Sequence, residues 1–187
     1  MDVTTGATVW LTGLSGAGKS TLALAVDEQL ARIGVDTEVL DGDQLRASLC
    51  ADLGFSAADR DTHVRRVGFL AEMLCRHGVL VLVPVIAPYL SSRQAVRRLH
   101  EVSACPYLEV HVATPLHECA RRDPKGLYAK AERGQLRGMT GVDDPYQEPV
   151  EPDLRVDTTD VSVGSATVRV LDLLERRGLL RALSGSG

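Results

Sequence analysis

The chain reads as an α/β domain, a central and mostly parallel sheet with helices on both faces. Three observations predict it. Apolar runs of strand length alternate with segments of helical spacing along the chain. The run VLVLVPVIA from Val79 is apolar throughout, as a strand covered on both faces requires. The first apolar run ends in a glycine loop that opens a helix.

In order, ATVWLTG (7–13) reads as a buried strand. KSTLALAVDEQLARIG repeats apolar residues at Leu22, Val26, Leu30 and Ile33 and closes at Gly34, so it reads as a helix. DTEVLDGDQLR is a short strand that ends in carboxylates and enters another helix. RDTHVRRVGFLAEMLCRHG is a long helix closed by a glycine, and VLVLVPVIA is an inner strand. SSRQAVRRLHEV is a helix, YLEVHVAT a strand and PLHECARRD a helix. SATVRVLDLLERRGLLRAL is an amphipathic helix, followed by a frayed SGSG tail. Between Pro124 and Pro152, glycine, proline and charge replace apolar periodicity. A stretch of that length is either a disordered loop or a functional lid, and the lid is the preferred reading.

At 187 residues the chain has the length of a single domain, here residues 1–187 with a lid at about 124–152. It is 44% hydrophobic and 25% charged with a net charge of −4, which argues against a nucleic-acid-binding surface. All but three of its 21 basic residues are arginine, from genomic base composition or from a local anion pocket. Cys50, Cys75, Cys105 and Cys119 form no CxxC pair and are expected to be reduced, mostly buried thiols. The apolar start is too short for a secretory signal, and no run reaches membrane-spanning length. A soluble, cytoplasmic protein with no membrane or nucleic-acid partner is expected.

Gly13, Gly18, Lys19 and Ser20 complete the pattern G-x-x-x-x-G-K-[ST] in WLTGLSGAGKSTLA. Glycines let backbone N–H groups curl around a phosphate chain, and the following helix turns its positive end toward the anion. Ser15, Gly16, Ala17 and Thr21 complete the cradle, Lys19 reaches the terminal phosphates, and Ser20 offers a hydroxyl to Mg²⁺. No N-K-x-D element for a guanine base occurs. DGDQLR instead falls where the second strand ends, at the edge where open α/β sheets bind ligands. Asp41 and Asp43 there either hold Mg²⁺ and orient a hydroxyl or simply cap a helix. Arg46 either meets an acceptor anion or is a surface arginine.

WLTGLSGAGKSTLA, DGDQLR, DLGFSAADR with RR shortly after, PLHECARRDPKGLYAKA and TGVDDPYQEP occur in this order over nearly the whole chain. In this the chain resembles the adenylyl-sulfate kinases, P-loop enzymes that phosphorylate the 3′-hydroxyl of adenosine 5′-phosphosulfate (APS). The resemblance implies a P-loop kinase fold, ATP and Mg²⁺ as cofactors, a nucleotide-like acceptor and a homodimer. It implies that Lys19, Asp41 and Asp43 are catalytic, with Ser20 and Asp41 at the metal and Asp43 near the acceptor ribose. It assigns Arg46 and Arg60 to the phosphosulfate, and Phe55 to the adenine, where guanidinium forks and an aromatic face suit those groups. Arg122 falls to ATP, and Lys125, Gly126, Leu127, Tyr128 and Lys130 to the lid, with Lys125 also on the acceptor. Taken singly, Phe55 suits a core as well as a stacking platform, and Lys125 suits solvent.

Departures from the family pattern cluster on the acceptor side. His63 stands for an asparagine and Met139 for the phenylalanine of FTG. Ala87, Leu90 and Ser92 replace serine, arginine and aspartate, leaving Arg93, and Phe69 replaces a glutamate. His63 either donates to the acceptor as asparagine would or lies on a helix surface. Met139 still packs against a ring. Three functions remain open: an APS kinase, a related kinase for another nucleotide, nucleoside or phosphorylated metabolite, and a non-catalytic nucleotide-binding regulator. The intact Lys19, Ser20, Asp41 and Asp43 argue against the third.

Overall fold

The computed structural model describes residues 6–180. Its sheet has five parallel strands in the order β2-β3-β1-β4-β5. These are β1 (Ala7–Thr12), β2 (Thr37–Val39), β3 (Leu80–Pro84), β4 (Tyr107–Val112) and β5 (Leu154–Val156). β1 lies at the centre, with Val9 level with Leu82 on one side and Leu108 on the other. Every residue of β1, β3 and β4 is buried, which explains the continuous apolar run at β3, while β4 buries Glu109 and His111 among its apolar residues.

Alternation along the strands builds two cores. Val9, Leu11, Leu82 and Val110 face a cluster with Leu22, Val26 and Leu30 of α1 (Lys19–Arg32) and Val170 and Leu174 of α7 (Val163–Arg176). Trp10, Val81, Val83 and Tyr107 face Val64, Val67 and Ala71 of α3 (Ala57–Arg76) and Val96 of α4 (Leu90–Val102). Gly68 is the contact point of α3 and α4, since a Cβ there would fall 2.4 Å from Val96 Cγ2. Helices therefore cover both faces, as the alternation predicts. Among the described residues no helix is long and apolar enough to cross a membrane, and all four cysteines are free and buried.

The differences from expectation have local causes. α3 begins at Ala57, ahead of Arg60, because Ser56 and Asp59 form a reciprocal capping box. The segment expected to lack structure holds α6 (Leu127–Glu132) and a turn in which Asp143 accepts from Gly138 N at 2.7 Å and Met139 N at 2.6 Å. β5 was not anticipated: it has three residues, and only Val156 is buried. The remaining helices are α2 (Gly42–Ala47) and α5 (Leu116–Arg122). The end of the expected terminal helix and the SGSG tail lie outside the described residues.

A buried ion pair ties α4 to the sheet, and the same arginine reaches the chain near the end of the lid segment. Arg93 Nε donates to Glu109 Oε1 at 3.0 Å, while Nη1 and Nη2 donate to Ala87 O and Gln147 O at 2.6 Å. Arg93 is 1% exposed. Arg93→Ala strips Glu109 of this partner in the interior and is expected to lower stability by about 3–5 kcal/mol. Urea unfolding checks it: the midpoint falls with the slope unchanged.

Candidate active site

The loop between β1 and α1 is shaped by what surrounds it. A Cβ at Gly13 would lie 2.4 Å from Val112 O, so only glycine lets the chain leave β1 against β4. Gly16 and Gly18 are left-handed, at φ 77° and 99°. The hydroxyls of Thr114 and Thr158 each donate to Ala17 O at 3.0 Å, and Tyr128 Oη donates to Ser15 O at 2.9 Å. The cradle is thus pinned from the ends of β4 and β5 and from the lid helix.

Lys19 Nζ donates to Leu14 O at 2.8 Å. Burial pulls its pKa down to about 8, against attraction from Asp43. A phosphate chain beside it favours the charged form. ATP binding is therefore expected to take up a proton above about pH 8, so affinity falls as pH rises through that range. Calorimetry in buffers of different ionisation enthalpy reads the uptake, which Lys19→Met removes.

Ser20 Oγ donates to Asp41 Oδ2 at 2.7 Å, joining the start of α1 to the end of β2. Asp41 also caps α2, its Oδ1 accepting from Asp43 N at 2.9 Å. The capping reading of Asp41 is therefore met by Oδ1, while Oδ2 faces the Ser20 hydroxyl. A hydroxyl and a carboxylate beside a phosphate cradle are hard oxygen donors and fit Mg²⁺.

On the far side of Gly18 a groove of about 190 Å³ is lined by Thr21, Leu22, Arg122, Thr158, Val161 and Val163, among others. Arg122 is aimed there by Glu118 at 2.7 Å and by two bonds to Thr158, each 2.7 Å. Arg121 and Arg122 hold the Glu118 carboxyl down to about 2. Sequence reasoning found Arg122 and Thr21 but missed Thr158, Val161 and Val163. Their signal is positional only: they follow β5 at the carboxyl edge of the sheet, and β5 itself was not read.

Across the cradle, α2, α3 and the lid bring the expected acceptor residues together. Lys125, exposed on the lid, pairs with Asp43. Phe55 is 67% exposed and therefore no core residue. Arg46 lies over its ring with Cζ 4.8 Å from the centroid, and Arg60 approaches it at 5.8 Å. Arg46 Nη1 donates to Gly54 O at 2.7 Å. Arg60 donates to Phe55 O at 3.0 Å, to Thr140 Oγ1 at 2.8 Å and to Gly138 O, joining α3 to the lid turn.

His63 is 4% exposed, not on the helix surface, and its Nδ1 is enclosed without a hydrogen-bond partner among the described residues. Burial first, and Arg46 second, pull its pKa down to about 4, so the ring is neutral at physiological pH. Met139 is buried in the core cluster that holds Tyr128. Gly126 is the left-handed start of α6, Leu127 packs partly on the core, and Lys130 stays exposed on α6 away from these contacts. Ser92 Oγ donates to Asp61 Oδ1 at 2.5 Å, so an aspartate at position 92 would face a carboxylate already supplied by α3.

With this geometry established, comparison with known proteins gives consistent matches. The family model for adenylylsulphate kinase matches residues 5–157. The adenylyl-sulfate kinase of Myxococcus xanthus is 47% identical over 186 residues, which is 100% of each chain. The bifunctional enzyme NodQ of Azospirillum brasilense is 51% identical over 94% of this chain, which spans 28% of that protein's length. Among solved structures, the Mycobacterium tuberculosis APS kinase CysC in complex with AMPPNP and APS superposes with a TM-score of 0.89. Its identity is 49%, over 91% of this chain and 98% of that one. The chain belongs to the adenylylsulphate kinase family.

Proposed function

We propose that this chain is an ATP-dependent adenylyl-sulfate kinase, transferring the γ-phosphoryl group of ATP to the 3′-hydroxyl of APS. One observation carries the reading. Asp43, Arg46, Phe55 and Arg60 gather beside the Ser20–Asp41 contact, so an anionic adenine nucleotide and a phosphate donor can lie end to end. The solved relative named for its complex with AMPPNP and APS supports the same pairing of ligands.

Arg122 and the groove beyond Gly18 receive the ATP base, and the loop from Gly13 to Thr21 receives its phosphates. Lys19 neutralises charge on the transferring group. Ser20 and Asp41 would hold Mg²⁺, which when bound supplies further charge neutralisation on the phosphates. Asp43 orients the acceptor hydroxyl and accepts its proton. The hydroxyl oxygen then bonds to the γ-phosphorus as the bond to the β–γ bridging oxygen breaks, and ADP leaves. Phe55 takes the acceptor adenine on its exposed face, and Arg46 and Arg60 take its phosphosulfate. Lys125, Gly126, Leu127, Tyr128 and Lys130 belong to the lid that excludes water. A cytoplasmic homodimer is part of the proposal.

His63, Met139 and Ala87, three of the departures that raised the possibility of another acceptor, are buried. Their burial supports APS over a different alcohol. The test is a ranking of acceptors by kcat/KM: APS should exceed adenosine and AMP by about 10²-fold or more. Equal turnover of AMP would place the acceptor elsewhere.

A further inference from the structure

Arg60 is already held from several sides before any acceptor meets it. Its Nε donates to Phe55 O at 3.0 Å, Nη1 to Thr140 Oγ1 at 2.8 Å, and Nη2 to Gly138 O. A guanidinium carries five N–H donors, so among the described residues one on each terminal nitrogen is left over. That pair is what a forked contact to phosphate or sulfate oxygens uses. Where the fork points is fixed by Gly138 and Thr140, and so by whatever holds the lid turn.

The turn from Gly138 to Asp144 is tied together as one unit. Asp143 accepts from Gly138 N and Met139 N, Asp144 N donates to Met139 O at 3.1 Å, and Gly141 N donates to Asp144 O at 2.7 Å. Its side-chain anchor lies outside it. Tyr89 Oη donates to the Asp144 carboxylate, 3.2 Å from Oδ1 and 3.1 Å from Oδ2. Burial, with Asp144 adding to it, raises the Tyr89 pKa, so the hydroxyl stays protonated and donates. Asp144 Oδ2 also lies 3.8 Å from Arg60 Nε. The Arg60 and Asp144 side chains are only 11% and 21% exposed, so solvent screens the pair weakly.

Tyr89 is itself clamped. It directly precedes α4, and the backbone on either side of it bonds to Gln147, beyond the turn. Gln147 N donates to Pro88 O at 2.8 Å, and Leu90 N donates to Gln147 Oε1 at 2.8 Å. Ala87 is left-handed at φ 45°, and its carbonyl accepts from the buried Arg93. The departures at Ala87 and Leu90 thus fall in a loop that grips the chain at the end of the lid.

We propose that Tyr89 is a positioning residue for the acceptor: through Asp144 it fixes the lid turn and the Arg60 fork, and so sets the affinity for APS. The inference rests on Arg60 meeting the phosphosulfate, as proposed above.

The experiment is a double-mutant cycle on the full chain, with initial rates measured at varied APS and at varied ATP. Tyr89→Phe removes only the hydroxyl. It is expected to raise the KM for APS about fivefold to tenfold, with kcat and the KM for ATP within about twofold of the parent. In an Arg60→Ala background the same change should alter kcat/KM for APS by less than about twofold, because its effect passes through the missing guanidinium. An Asp144→Ala background should silence it in the same way, and covers the case that Arg60→Ala fails to fold. A purely structural tyrosine would instead lower the unfolding midpoint and exert its full effect in every background. An unchanged KM for APS, an additive cycle, or an equal rise in both KM values would overturn the proposal. A parent enzyme without APS-dependent turnover would overturn the APS reading itself, and this inference with it.

Discussion

Replacing Lys19 with alanine should lower kcat for phosphoryl transfer by about 10³-fold or more, with the fold intact. Lys19 begins α1 directly under the cradle, and the chain's two other lysines, Lys125 and Lys130, lie on the lid. Lys125 is the nearby cation, and it is already paired with Asp43 on the acceptor side. The ammonium is buried and its charged form disfavoured there, so truncation relieves a desolvation cost that offsets the loss of its bond to Leu14 O. Activity and stability should therefore separate. ADP release under saturating substrates reads the first, and thermal unfolding reads the second. Turnover within tenfold of the parent would refute the assignment of the donor site.

Arg60→Ala is expected to raise the KM for APS by about 10²-fold, with the KM for ATP changed much less. Arg60 touches Phe55, Gly138 and Thr140, so its loss frees both the stacking platform and the lid turn on the acceptor side. The donor groove at Arg122, Thr158 and Val161 has no contact with it. Initial-rate kinetics with each substrate varied in turn separates the two constants. Equal loss for both substrates would make Arg60 a structural residue of the whole lid.

The parts of the fold legible in the sequence are those that a buried face imprints on a run of residues. β1 and β3 are buried throughout and read as strands from their apolar residues, while α1 repeats Leu22, Val26 and Leu30. β5 buries one residue of three and leaves no such imprint. The phosphate cradle was legible because its backbone path excludes side chains at defined places, as the Val112 carbonyl does at Gly13. The Ser20–Asp41 contact joins residues far apart in sequence, yet it could be expected because parallel strands end along one edge.

His63 carried more signal than was used. Together with Val67 and Ala71 it falls at i, i+4, i+8 on α3, which is the buried stripe and not the surface. Met139 sits in a turn with no period, so its burial depends on Asp143 folding that turn back through two backbone bonds. The joint position of Arg46, Arg60 and Phe55 was expected from the family resemblance; periodicity alone left Phe55 undecided between core and platform.

ADP release in the presence of ATP, Mg²⁺ and APS, measured against a blank without acceptor, tests the central claim most directly. The account predicts release that depends on APS, saturates with it, and accompanies stoichiometric 3′-phosphorylation of APS. Release no faster than the blank, from protein shown to bind ATP, would contradict it.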